Sequence, residues 1–385
     1  MDKNFEIKKL IVSVLTVCLF MSLAINLQAK IIRKPDKVSP RPADPNARVI
    51  PVKVSVDPRV ELMSIIFRLA GHPEYNRCAV TGYSKDIEKQ FGPYRSHQVV
   101  KLAADLRRRR GVSYDAPMSM AVHIKDVNNL SPKIPFVPHP EGLDSRWKIE
   151  EANDFLDKAG QFVKESNFEK FIKDHQPLYK KAVTNMETLL EKEMRFEWFN
   201  AFFGKRSRAN FHVVIALSNG PNNYGTRFKF GGKEELYCIK GVHKSGFLGM
   251  AAPKFDKGMV STIVHEFCHS YVNPVVSNHS SELEKSGPKL FSKAKKKMTR
   301  MAYGNWRTMI IEYNVRASVA RYLLAKEGKQ AAEKSIRNDV KRGFLHVRGL
   351  SGLLGEYESD REKYPTYDSF FPRIVEYFNT CDSGE

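Results

Sequence analysis

Apolar positions along this chain follow helical spacing over most of its length, with one strand-like interval near the middle. A short apolar alternation at 52–56 predicts a strand, and Asp57-Pro58 then opens a helix with Asp as cap and Pro in the first turn. Val60, Met63, Phe67 and Ala70 form its apolar stripe, and Gly71 supplies a stop. A second helix is predicted over 97–110, with Val99, Val100, Ala103 and Leu106 inward. Its C-terminal end carries Arg107 to Arg110, where cations complement the helix dipole. A proline-rich connection at 132–140 precedes long helical patterns from 147 to about 203. Beyond Gly204 the period changes: 211–217 reads as a buried strand ended by the turn-forming 218–223, and 236–239 and 246–251 read as two more. From Met259 to the end the pattern is again helical. The expected class is α+β, mainly helical, with a small central sheet just before the helix that begins at Met259.

The first 29 residues are patterned differently. Lys3, Lys8 and Lys9 make a basic start, 10–25 is uncharged and apolar, and Leu27-Gln28-Ala29 offers a cleavage position. This is the layout of a secretory signal peptide, so the chain is expected to be exported to a periplasmic or extracellular space. The competing reading is an uncleaved anchor, but the run is short and holds Ser13, Thr16 and Ser22. Val17 before Cys18 is too bulky for a lipoprotein signal. No later stretch is long and apolar enough to span a membrane, so no span is expected in the mature chain. The organisation that follows is 1–29 signal, 30–56 extended basic and proline-rich lead-in, 57–203 mostly helical, and 204–385 sheet and helices. Composition adds little to this picture: 42% hydrophobic residues, 23 Gly and 5 Cys exclude collagen-like and disulfide-dense chains. Of the cysteines beyond residue 29, Cys78, Cys238, Cys268 and Cys381, none has zinc-knuckle spacing, and a Cys78–Cys238 pair is compatible with an oxidising compartment.

Chemistry concentrates in the helix over 259–274. Met259, Val260, Ile263, Val264, Phe267, Cys268 and Tyr271 make a wide apolar face, Asp256 is a plausible cap, and Pro274 fits a stop. Within it lies His265-Glu266-Phe267-Cys268-His269, an HExxH pattern. Residues four apart stack on one helix face, so both imidazoles can hold one metal ion, with Glu266 beside them to take a proton from water. Cys268 falls on the apolar side, which makes it a core thiol. A zinc hydrolase also needs a third protein ligand. Val272 and Val275 exclude the metzincin continuation. His279, Glu282 and Glu284 lie in a polar, loop-like stretch, so Glu312 is the better candidate: Ile310, Ile311, Val315 and Val319 surround it on a predicted helix. Arg316 stands four residues on, placed either as a simple ion pair or as the partner of a ligand carboxylate.

HExxH with a Glu on a separate downstream helix resembles the gluzincin group of zinc metallopeptidases. The stretches Asp57-Pro-Arg-Val-Glu-Leu-Met-Ser-Ile-Ile-Phe-Arg-Leu-Ala-Gly71, His265 to Pro274 and Glu312 to Arg321 are more closely similar to an uncharacterised family of exported bacterial zincin-like proteins. The resemblance implies a zincin-like catalytic part over 204–385, with Zn²⁺ held by His265, His269 and Glu312. It further implies hydrolysis of peptide or amide bonds by a zinc-activated water, with Glu266 as general base and a peptide or protein as substrate. Such enzymes add a Tyr, His or Arg for the oxyanion. Tyr303, Tyr313 and Tyr224 are the candidates, with Tyr303 preferred because it lies between the motif helix and Glu312.

The charge of +20, from 63 Lys+Arg against 43 Asp+Glu, raises another class. Its densest runs, Arg107 to Arg110 and Lys293 to Arg300, belong to no recognisable nucleic-acid module, so no nucleic-acid partner is expected and a solvated basic face is the plainer reading. The alternatives to a peptidase are a basic surface-binding protein and a zincin scaffold that binds without catalysis.

Overall fold

The computed structural model describes residues 52–204, 209–243, 252–301 and 303–383. The expected signal segment, most of the lead-in and the expected strand at 246–251 fall outside them. The described part is mainly helical with one small four-stranded sheet, as the pattern predicted. In chain order the elements are β1 (Val52–Ser55), α1 (Pro58–Leu69), α2 (Thr81–Phe91), α3 (Gln98–Arg110), α4 (Asp115–His123), α5 (Ile149–Glu165), α6 (Phe168–Asp174), α7 (Gln176–Glu193) and α8 (Glu197–Phe203). After these come β2 (Ala209–Ala216), β3 (Asn223–Phe230), β4 (Lys233–Gly241), α9 (Val260–Asn278), α10 (Ser280–Leu283), α11 (Gly287–Arg300), α12 (Trp306–Glu327), α13 (Lys329–Arg342), α14 (Val347–Ser359) and α15 (Tyr367–Ser383).

Local chemistry accounts for the first helices. The Asp57 carboxylate accepts from the Arg59 amide and starts α1; at the other end Gly71 takes φ +82, a conformation that suits glycine. His97 caps α3, and Val99, Val100, Ala103 and Leu106 are all buried, as their spacing required.

Strand order is β1-β2-β4-β3. β1, β2 and β4 are parallel, and β3 is an antiparallel edge. Side chains alternate between the faces. Phe211 meets Phe267 of α9 on one face, with ring centroids 5.1 Å apart. His212 and Tyr237 stack on the other, the face that also receives α1 and α4. Gly225 of β3 decides how close the sheet comes to α9, because a Cβ there would lie 2.4 Å from the Glu266 carbonyl oxygen. On the far side of α9 lies α12, which α13 and α14 cover in turn.

One expectation needs correction. Pro274 does not end its helix: α9 continues to Asn278, with Val275 and Val276 buried beyond the proline. Apolar burial there outweighs the one intrahelical hydrogen bond that proline removes. Among the described residues, Cys78, Cys238, Cys268 and Cys381 are free thiols. Cys238 is buried within β4, while Cys78 Sγ donates to the Leu217 carbonyl at 3.2 Å. Cys268 is fully buried, as read from the helix.

One buried acid lies outside this chemistry. Glu61 of α1 is inaccessible and accepts from the Leu217 amide at 2.7 Å, the Ser218 hydroxyl at 2.7 Å and the Tyr83 hydroxyl at 3.0 Å. Burial without a cation pushes its carboxyl up to about 7, and these hydrogen bonds offset only part of that. The folded chain therefore holds this proton more tightly than the unfolded chain. Its contribution is complete below the ordinary carboxylate range and is lost as pH rises through about 7, a change of about 3 kcal/mol. Urea titrations at pH 5.5 and pH 8 should show Glu61→Gln losing less stability over that interval than the parent. Equal losses would contradict the assignment.

Candidate metal centre

Asp256 accepts from the Gly258 amide at 2.9 Å and caps a single 3₁₀ turn, Lys257–Met259, that runs straight into α9. Burial of Ile263, Val264, Phe267, Cys268 and Tyr271 fixes the rotation of α9. That rotation sets His265 and His269 one above the other, with Nε2 atoms 3.2 Å apart. On α12, whose first turn is capped by Asn305 onto the Thr308 amide, Glu312 is buried and faces the same point. Its Oε1 lies 3.3 Å from His269 Nε2 and its Oε2 lies 3.7 Å from His265 Nε2. Zinc with ligands at about 2.0–2.1 Å in tetrahedral geometry places neighbouring donors about 3.3–3.4 Å apart. The observed triangle has close to those dimensions, so His265, His269 and Glu312 can hold a metal ion.

The surroundings fit a cation. Burial alone would lower His269, yet the Glu312 and Glu266 carboxylates outweigh it and hold the imidazole up to about 9. Glu312 is held well below the usual carboxylate range, the two imidazoles outweighing its burial. Its Oε2 has no well-directed hydrogen bond, although Arg316 Nη2 approaches to 2.9 Å. A buried carboxylate oxygen in that condition gains from a positive ion.

Supporting groups orient these donors. His269 Nδ1–H donates to Asn273 Oδ1 at 3.1 Å, which leaves Nε2 toward the shared point. Arg316 pairs with Glu312 and also with Asp339 of α13 at 2.6 Å, so ion pair and ligand partner are both present in one residue. Tyr303 reaches the centre through the same residues: its hydroxyl accepts from Arg316 at 3.1 Å and lies within reach of the Glu312 carboxylate. Tyr313 packs between Phe344 and Phe378 instead. Tyr224 lies on the sheet face opposite to Gly225, turned from α9, and its buried hydroxyl has no hydrogen-bond partner among the described residues. His279 and Glu282 pair with each other at 3.3 Å and Glu284 approaches Arg307 at 3.8 Å, apart from the two motif histidines.

Two cavities flank the centre. One of about 290 Å³ is bordered by Glu266, His265, Asn223, Ser261 and Thr262. The other, about 400 Å³, is bordered by His269, Asn273, Gly225 and Arg227. Gly142 at φ +93 closes its wall, because any Cβ there would overlap the Arg227 carbonyl. Four contributors escaped the sequence reading: Asn273, Asp339, Asn223 and Lys240. Asn273 stands four residues after His269, a spacing that could have flagged it. The fully buried Lys240 donates to Asn223 Oδ1 at 2.8 Å and so orients an amide on the same cavity as Glu266; only the β3–β4 pairing reveals that.

No curated protein and no solved structure matches this chain. Residues 52–377 match a family model described as a domain of unknown function, DUF4932, and the chain belongs to that family.

Proposed function

We propose that this protein is an exported zinc-dependent hydrolase of peptide or amide bonds. One observation carries the reading: the compact triangle of two imidazole nitrogens and a buried carboxylate, with Glu266 on the adjoining cavity. His265, His269 and Glu312 would hold the zinc. When bound it supplies Lewis acidity, polarising a carbonyl and easing deprotonation of water. Glu266 takes the proton from the attacking water and returns it to the leaving amine. Asn273 holds the His269 tautomer, and Arg316 with Asp339 fixes Glu312. Tyr303, whose hydroxyl accepts from Arg316, would serve the oxyanion by turning that hydroxyl toward the substrate carbonyl. Export rests on the basic and apolar pattern of residues 1–29.

Elemental analysis of the purified protein, with His265→Ala alongside, tests the metal assignment. About one zinc per chain is expected, lost in the variant. Absence of zinc from both after reconstitution would remove the hydrolase reading and leave a binding scaffold.

A further inference from the structure

A third cavity, of about 490 Å³, lies against the sheet face opposite to α9. We propose that it binds a small organic anion, with a carboxylate or phosphate on Lys133 and an apolar or aromatic body on Phe228 and Phe230. The site is separate from the candidate metal centre and does not depend on zinc or hydrolysis.

The charges around it are unevenly satisfied. Its three acids are already engaged: Asp57 by Arg59, Glu235 by His212 at 2.5 Å and Asn210 at 2.9 Å, and Asp126 by the amides of Asn128 and Asn129 in its own loop. Arg59 is likewise spent, on Asp57 and the Ile124 carbonyl. Lys133 is different. Among the described residues no carboxylate pairs with it, and its ammonium sits 4.9 Å from the centre of the Phe228 ring. Lys53 and Lys125 stand exposed on the same rim without ion pairs among the described residues.

Lys133 is held there by backbone. Its amide donates to the His123 carbonyl at the end of α4, and the loop it closes is tied by a Lys125–Ser131 hydrogen bond. Burial and the nearby Arg59 guanidinium push the ammonium down to about 8, against the partial offset of Asp57 and Glu235. Keeping that charge costs the empty protein stability, and an anion would relieve it. Phe230 is 47% exposed at the rim, and Phe228 and the stacked His212–Tyr237 pair line the wall, so the anion's neighbour is a ring surface. A cavity of this volume suits a small organic molecule.

Titration calorimetry with phenyl phosphate and benzoate, against inorganic phosphate and benzyl alcohol, tests the site. At least one aryl anion should bind saturably, and the preferred one separates phosphate from carboxylate recognition. Lys133→Met should weaken it at least about tenfold, the worth of one charge-assisted hydrogen bond. Phe230→Ala should erode the advantage of the aryl anion over its simple counterpart. Thermal unfolding without ligand should find Lys133→Met as stable as the parent or more so. Three results would overturn the proposal: neither aryl anion saturating, equal binding by Lys133→Met (which places the anion elsewhere, such as the metal centre), or a destabilised Lys133→Met, which makes the lysine a structural pin.

Discussion

On the proposed zinc-hydrolase reading, Glu266→Gln is expected to lose hydrolysis by about 10²–10⁴-fold while zinc is kept. The substitution preserves shape and removes only the ability to take a proton. Its cost therefore falls on the barrier, about 3–5 kcal/mol, rather than on the fold. Metal retention follows from position: the triangle that can hold a metal consists of His265, His269 and Glu312, whereas Glu266 borders the cavity beside it. Packing should also be undisturbed, because glutamine matches glutamate in shape and the Glu266 side chain borders a cavity. A fluorogenic peptide library read against zinc content separates the possibilities. Unchanged turnover would exclude Glu266 as the base, and lost zinc would mean that the variant had disturbed the site itself.

What could be read from sequence was whatever depends on one helix. His265, Glu266 and His269 share a face because of spacing alone, and the apolar neighbours of Glu312 marked it as buried before any partner was known. The Glu312–Arg316 pair followed from the same four-residue rule. Contacts between elements were not legible. β3 escaped notice because Gly225, Arg227 and Lys229 dilute an alternation that Tyr224, Phe228 and Phe230 do carry, and because turn residues precede it. Without β3 there was no reason to connect Asn223 with Lys240 or to set Tyr224 on the far face. Asp339 reaches Arg316 across two helices and leaves no local signal. The failed stop at Pro274 has the same origin: a local rule gave way to burial that only tertiary packing supplies.

Glu312→Ala should cost zinc affinity more than about a hundredfold, beyond the 10–100-fold typical of losing a ligand's supporting partner. Two neutral imidazoles on one helix would remain, without the buried negative charge that complements a dication. The fold should survive, because Arg316 keeps its 2.6 Å pair with Asp339 and is not left as an uncompensated buried charge. Chelator then gives a clean readout. If zinc binds the native state, removing it lowers the melting temperature of the parent, and the variant, already empty, should not respond. Arg316→Met separates ligand from ion-pair partner. As a ligand, Glu312 keeps its zinc in that variant, more weakly and still sensitive to chelator. If Glu312 serves only Arg316, both variants should lose comparable stability and neither should change the zinc content.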